Sequence, residues 1–236
     1  MKAGIIVYPG TTCDRDTFMV LKEVLGWDVR YIFYKESTAA PELDIIILPG
    51  GFSYGDYLRA GALAAMSPVR EVIYKHAAAG LPVLGICNGF QILLEMKLLK
   101  GALMQNASGR FICRNINLKV KNNTSLLTNG LERGTHLQVP IAHMDGNYYA
   151  EEEVLKEMEE KDLVILQYAD ASGEITEDSN PNGSVKNIAG IRNEAGNVVG
   201  LMPHPERAAL PYHKSKDGLL LLRSISGYPG IKGRGI

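Results

Sequence analysis

Short apolar runs alternate with amphipathic segments in the first half of the chain. Apolar residues dominate 3–8, 44–48 and 82–86, while 27–33 alternates apolar and polar side chains. Such runs predict buried strands, and the spacing of apolar residues in 16–25 predicts a helix. Continuous β-branched strands separated by helices are typical of a parallel sheet that is covered on both faces. We therefore predict an α/β fold with a mostly parallel central sheet flanked by helices.

The pattern changes beyond about residue 110. Five runs of strand-forming residues are joined there by turns rich in Asn and Gly, at 111–120, 135–141, 163–168, 188–193 and 198–202. Turns of this kind connect neighbouring strands directly, so the second half predicts an antiparallel or mixed extension of the same sheet.

The remaining segments suggest two more helices and a loop. Residues 151–161 are strongly charged but carry apolar residues at helical spacing, which predicts a solvated amphipathic helix. A closing helix is predicted over 219–225, and the polar stretch 170–187 is predicted to be an exposed loop. Because no internal repeat and no long linker divides the chain, we expect a single domain over 1–236.

Composition narrows the possible functions. With 46% hydrophobic residues the chain can build a large core, and its net charge of −1 gives no sign of a surface for nucleic acid. No apolar stretch approaches the ~18 residues that suggest a membrane span, and Met1 leads into an apolar strand without a signal-peptide pattern. Three widely spaced cysteines predict neither a disulfide framework nor a metal site. These features predict a cytoplasmic protein.

One motif points to nucleophilic chemistry. Cys87 is flanked by Gly85 and Gly89, between a predicted strand and a helix-like run at 90–96. A strand, a tight turn with glycine on both sides and a helix form a nucleophile elbow, here with cysteine at the reactive position. The amides that begin the following helix favour thiolate. The alternative is a buried structural cysteine, because free cysteine is often found in protein cores.

A second motif far downstream supplies a candidate base. Pro205 favours extended geometry at His204, and residues two apart in an extended segment face the same side. Glu206 would then orient the imidazole, which completes a Cys-His-Glu triad with Cys87. The alternative is a surface turn that carries an incidental histidine.

The loop after the third predicted strand contains Pro49, Gly50 and Gly51. In a parallel sheet this loop and the elbow open on the same edge, where ligands bind. The backbone amides of Gly51 and Asn88 could therefore form an oxyanion hole. The alternative is a plain turn.

The order of these motifs resembles that of the class I (triad) glutamine amidotransferases, whose fold is flavodoxin-like. Within that class the chain is most similar to the glutaminase subunits of phosphoribosylformylglycinamidine synthase. The resemblance extends over 7–16, 50–61, 85–91, 142–146 and 202–207, and Phe52-Ser53-Tyr54-Gly55-Asp56 is its most specific block. Thr12, Asp145 and the tail 230–236 depart from the pattern of these subunits.

This resemblance implies that the chain hydrolyses glutamine and passes ammonia to a large ATP-dependent synthetase subunit, with a small bridging subunit in the complex. It also implies that Gln91 contacts the glutamine substrate. No G-x-x-x-x-G-K-[ST] phosphate loop is present, so ATP and Mg are expected on the partner and no cofactor on this chain.

Two other functions stay open. The chain could serve a different synthetase, or it could be a non-catalytic regulatory subunit of the same fold. Among the other histidines, His143 is expected either near the mouth of the site or as a structural residue, and His76 and His213 are expected on the surface. Cys13 is interpreted as a small packing residue, with a redox role as the alternative.

Overall fold

A nine-stranded sheet forms the centre of the molecule. The computed structural model describes residues 1–38 and 42–231; residues 39–41 and 232–236, the end of the tail, lie outside this description. The strands are β1 (Lys2–Val7), β2 (Asp28–Phe33), β3 (Ile45–Leu48), β4 (Val83–Ile86), β5 (Ala102–Met104), β6 (Ile112–Val120), β7 (His136–His143), β8 (Asn147–Tyr149), β9 (Val164–Ala169), β10 (Ile188–Arg192) and β11 (Val198–Leu201). The α-helices are α1 (Asp14–Met19), α2 (Arg70–Ala78), α3 (Asn88–Glu95), α4 (Glu152–Glu160) and α5 (Asp217–Ser224).

The sheet has a parallel and an antiparallel half. Its strands follow the order β2-β1-β3-β4-β11-β10-β9-β6-β7. The first five run parallel to one another, and each strand from β10 to β7 runs antiparallel to its neighbours. The prediction of a mostly parallel sheet flanked by helices, with an antiparallel or mixed extension, is confirmed.

The inner strands of the parallel half are buried. All four residues of β3 and all four of β4 are buried, as expected for continuous apolar strands in a covered sheet. Helix α3 is packed on nearly every side, since seven of its eight residues are buried. This burial fixes the position of the residues at the start of α3.

Several local predictions differ from the structure. The first helix ends at Met19 and continues as a wider π-helical turn over Val20–Val24. Helix α2 was not predicted, and β5 pairs with β8 in a small separate sheet that was also missed. The predicted exposed loop 170–187 is wrong in its second part, because Asn182, Ser184 and Asn187 are buried.

The sheet topology gathers distant parts of the chain at one edge. Strands β1, β3, β4 and β11 are neighbours and parallel, so the loops that follow them open at the same carboxyl edge. These loops carry Cys13, Gly51, Cys87 and His204. The α-helices of the described residues have at most nine residues, and none is long and apolar enough to cross a membrane.

Candidate active site

Cys87 occupies a strained turn between β4 and α3. Its backbone has φ 51° and ψ −107°, a conformation that costs energy for any residue with a side chain. A Cβ on Gly85 would lie 2.6 Å from the carbonyl oxygen of Gly89, and one on Gly89 would collide with the carbonyl of Leu48. Both flanking glycines are therefore required by close backbone packing, as a nucleophile elbow demands.

His204 and Glu206 form a buried pair beside the elbow. His204 Nδ1 lies 2.6 Å from Glu206 Oε1, and each residue is only 1% exposed. The sequence predicted that the two side chains lie together because the segment is extended. In the structure the two side chains do lie together, but the residues after His204 form a short 3₁₀ turn over Pro205–Arg207 and not an extended segment.

The surroundings of His204 favour its protonated form. Burial alone would lower the pKa of His204, but the negative charge of Glu206 and the proximity of Cys87 raise that pKa well above its usual value. Its Nε2 is buried and has no hydrogen-bond partner among the described residues. The imidazole can therefore hold a proton at Nε2 while Glu206 fixes Nδ1.

Gly50 lies where the turn that carries Cys87 approaches His204. A Cβ built on Gly50 would lie 2.7 Å from Cε1 of His204, 3.1 Å from Sγ of Cys13 and 3.4 Å from Cβ of Cys87. The imidazole and both cysteines thus surround this glycine closely. Any larger residue at position 50 would separate Cys87 from His204.

The two backbone amides predicted for an oxyanion hole are both placed at this edge. Thr12 N donates to Gly50 O (3.2 Å) and Phe52 N donates to Gly10 O (3.0 Å), so Thr11 and Gly51 form a non-hydrogen-bonded pair. In such a pair the amide of each residue points away from the other strand. Asn88 is the first residue of α3, and its amide has no partner within the helix.

Gln91 is buried and lines the pocket. Its Oε1 accepts a hydrogen bond from Asn88 Nδ2 (2.8 Å), and its Nε2 donates to the carbonyl of Asp145 (2.6 Å). Asn88 Oδ1 in turn accepts from the amide of Ser53 (3.1 Å). The Gln91 side chain is therefore part of a hydrogen-bond network that holds the pocket wall in place.

These residues surround one cavity of about 420 Å³. Cys87, His204, Gly51 and Gln91 all line it. The other polar side chains of its wall are those of Thr12, Cys13, Asp56, His143, Asp145 and Arg207. Of these, the sequence placed only His143 near the mouth of the site, with a structural role as the alternative.

Asp56 is the most perturbed carboxyl group of the cavity. Burial, together with the nearby Asp145 carboxylate, raises the pKa of Asp56 to about 6. Burial also raises the pKa of Asp145. The two acids form a negatively charged wall when both are ionised.

Cys13 is buried beside His204 and Arg207. Its Sγ accepts a hydrogen bond from Arg207 Nη2 at 3.3 Å, and potential ligand atoms of Cys13, His204 and Glu206 lie within 4.8 Å of one another. The fold thus groups three possible metal ligands that chain spacing did not reveal. Glu206 and Cys13 already bond to His204 and Arg207, respectively.

Of the two histidines expected on the surface, one is buried. His76 is buried on α2, and burial lowers its pKa to about 4, so its predicted surface position is wrong. His213 is partly buried, and its Nδ1 accepts hydrogen bonds from the amides of Ala209 and Leu210. Neither of them lines the cavity that holds Cys87.

Comparison with known proteins places the chain in a family. A family model described as the CobB/CobQ-like glutamine amidotransferase domain matches residues 1–218. The phosphoribosylformylglycinamidine synthase subunit PurQ of Aquifex aeolicus is 50% identical over 225 residues, which cover 95% of this chain and 99% of that protein. The PurQ subunit of Pseudothermotoga lettingae is 51% identical over 228 residues, covering 97% and 96% of the two chains.

A solved structure agrees with these sequence relatives. One chain of the structure of PurLQS from Thermotoga maritima superposes with a TM-score of 0.84 at 44% identity, covering 96% of this chain and 98% of that chain. The chain therefore belongs to the CobB/CobQ-like glutamine amidotransferase family and, within it, to the PurQ subunits of phosphoribosylformylglycinamidine synthase.

Proposed function

We propose that this chain hydrolyses the side-chain amide of glutamine in the cytoplasm. It supplies the ammonia to an ATP-dependent synthetase that converts formylglycinamide ribonucleotide to its amidine in purine biosynthesis. The observation that carries the proposal is the strained Cys87 beside the buried His204–Glu206 pair. The assignment to purine biosynthesis rests on the similarity to PurQ subunits.

The first step is attack on the carboxamide. Cys87 Sγ bonds to the carbonyl carbon, and the carbonyl oxygen takes the negative charge of a tetrahedral intermediate. The amides of Gly51 and Asn88 donate to that oxygen. Each donor of this kind stabilises the transition state by about 3 kcal/mol.

The second step releases ammonia. His204 Nε2 gives its proton to the nitrogen of the intermediate, the C–N bond breaks, and a γ-glutamyl thioester remains on Cys87. The neutral imidazole then takes a proton from water, which attacks the thioester and yields glutamate. Glu206 keeps the imidazole oriented and stabilises its positive charge through both steps.

The cavity suits a small zwitterionic substrate. Asp56 and Asp145 supply negative charge for the α-ammonium group of glutamine. Gln91 lies between Asn88 and Asp145, where it can present its remaining N–H and oxygen lone pair to the substrate.

The partners of this chain are inferred from the similar proteins. The Thermotoga maritima structure is of PurLQS, and we assign this chain the equivalent place beside a large synthetase subunit and a small bridging subunit. ATP and Mg would be used on the large subunit, so this chain would need no cofactor of its own. Phe52 and Phe111 line the cavity yet are 53% and 59% exposed, which suits a mouth that a partner covers.

Ammonia release tests this function. The protein is assayed with glutamine alone and after mixing with the PurL and PurS proteins of a close relative or of the source cell. We expect glutamate and ammonia to form in equal amounts, and we expect the rate to rise when the partners and formylglycinamide ribonucleotide are present. Absence of glutamine hydrolysis in the full mixture would contradict the proposal, and stimulation by a different synthetase alone would favour the alternative partner.

A further inference from the structure

The tautomer of His143 is fixed by Asn106. Two carbonyl oxygens, those of Arg110 and His143, each lie 2.9 Å from Asn106 Nδ2, so this end of the amide must be the donor. Asn106 Oδ1 accepts from the amide of Gly146 at 3.2 Å and lies 3.0 Å from His143 Nδ1. Because Oδ1 can only accept, His143 Nδ1 carries the hydrogen, and Nε2 is a bare acceptor in the neutral ring.

This bare nitrogen belongs to a residue that lines the reaction cavity. His143 ends β7, is only 3% exposed and lines the cavity together with Cys87 and His204. Its Nε2 is buried and has no hydrogen-bond partner within the described residues. Leaving a buried hydrogen-bond acceptor without a donor costs free energy. This cost indicates that a bound ligand donates a hydrogen bond to Nε2.

The backbone around His143 holds the ring in place. A Cβ on Gly146 would overlap the imidazole and lie 2.6 Å from Nε2, so the glycine packs directly against the ring. Asn182 Nδ2 donates to the Gly146 carbonyl at 2.7 Å and fixes that turn. The neighbouring carbonyl of Ala142 lies 3.8 Å from Cys87 Sγ, which places the end of β7 beside the nucleophile.

The two imidazoles of the cavity have opposite protonation preferences. Burial and the proximity of His204 lower the pKa of His143 to about 4, whereas the pKa of His204 is raised well above its usual value. At neutral pH the first is an acceptor and the second a donor. Paired groups with separated pKa values are typical of a division of acid and base roles.

We propose that His143 is a further catalytic residue, whose bare Nε2 accepts a hydrogen bond from the leaving carboxamide nitrogen of glutamine. This inference rests on the proposed glutaminase activity. The hydrogen bond turns the lone pair of that nitrogen towards His204 as the tetrahedral intermediate forms. His204 then transfers its proton to the lone pair, and the C–N bond breaks. Ammonia leaves with its two original hydrogens and the proton from His204. His143 neither gains nor loses a proton.

The test compares two substrates in the complex with the synthetase and bridging subunits. Glutamine has N–H groups on its leaving atom, whereas glutamate γ-methyl ester has none but still needs protonation of its leaving oxygen. His143→Phe keeps a ring against Gly146 without an acceptor, and His143→Gln can place an amide oxygen near the position of Nε2. Labelling of Cys87 by a diazo-ketone analogue of glutamine reports that the site is folded in each variant.

We expect His143→Phe to lower kcat/KM for glutamine about 10- to 100-fold, as loss of one hydrogen bond to a reacting group would, and the ester value less than threefold. His143→Gln should recover most of the glutamine rate. His143→Leu replaces the phenylalanine variant if that variant is not labelled at Cys87. An equal loss for both substrates, or no loss for glutamine, would overturn the inference. Wild-type protein that cleaves neither substrate would instead contradict the glutaminase activity itself.

Discussion

In the proposed mechanism Glu206 acts only through His204, whose Nδ1 lies 2.6 Å from Glu206 Oε1. Glu206→Gln keeps the shape of the side chain but removes its charge, so the pKa of His204 should fall and less imidazolium will be present at neutral pH. We expect kcat/KM for glutamine to fall by about 10²- to 10⁴-fold, as in other triads that lose the orienting carboxylate. Steady-state ammonia release measures this, and thermal unfolding checks that the variant is folded. A loss below threefold would show that the carboxylate is not needed.

Gly89 tests the packing of the elbow. In Gly89→Ala the new methyl group meets the carbonyl of Leu48, and α3 must move to relieve the overlap. We expect a loss of about 1–3 kcal/mol in the free energy of unfolding and much slower labelling of Cys87. Gly80→Ala is the control, because Gly80, unlike Gly89, has positive φ but has no atom within 4 Å of a new Cβ, so this variant adds backbone strain without a steric clash. If both variants label Cys87 at the wild-type rate, the elbow does not depend on close packing at Gly89.

The sequence was most informative where neighbours along the chain determine the chemistry. Gly85 and Gly89 flank Cys87, and Glu206 follows His204 by two residues, so local motifs predicted their arrangement. His143 could be placed only near the site, because its tautomer depends on Asn106, 37 residues earlier. That contact arises from tertiary structure and leaves no signal in local spacing.

At the scale of elements, the loop that follows β3 contains an acid at an unfavourable place. The pKa of Asp56 is about 6 in the folded protein, above its ordinary value of 3.8. The folded state therefore binds a proton more readily than the unfolded chain between these pH values, and stability falls as pH rises through this window. Above about pH 6 the loss of folding stability caused by ionised Asp56 is complete, and below about pH 4 it is absent.

Asp56→Asn should remove this penalty. Asparagine tolerates the positive φ of 55° at this position, so the variant changes the charge with little backbone strain. We expect the variant to unfold at a higher temperature than the wild type at pH 7.5 and at nearly the same temperature at pH 4. Thermal unfolding across this range measures the difference. A difference that is independent of pH would mean that ionisation of Asp56 is not its cause.

The predicted elements show where local patterns suffice. The apolar runs of β3 and β4 predicted strands because burial on both faces requires continuous hydrophobicity. Helix α2 has Val72, Ile73 and His76 buried at helical spacing, but the histidine and the charged residues around them obscured the pattern. Strands β5 and β8 have three residues each, too few for a period to be recognised.

At the scale of the whole molecule, the mouth of the cavity continues into exposed apolar residues. Tyr57 follows Asp56 and is 75% exposed. A charge at the centre of an apolar contact is costly to bury, so Tyr57→Glu should raise the Kd for the synthetase and bridging subunits at least about tenfold. Ile175→Glu, in the exposed part of the 170–187 segment, serves as the control. Titration calorimetry of both variants measures the effect, and equal affinities would place the partner elsewhere.

Comparison of nitrogen donors in the assembled complex tests the central claim most directly. Formation of formylglycinamidine ribonucleotide is measured with Cys87→Ala protein, ATP and either glutamine or ammonium as the donor. If Cys87 forms the γ-glutamyl thioester, glutamine-dependent synthesis falls to background while ammonium-dependent synthesis stays at the wild-type rate. Glutamine-dependent synthesis that persists in this variant would contradict the account.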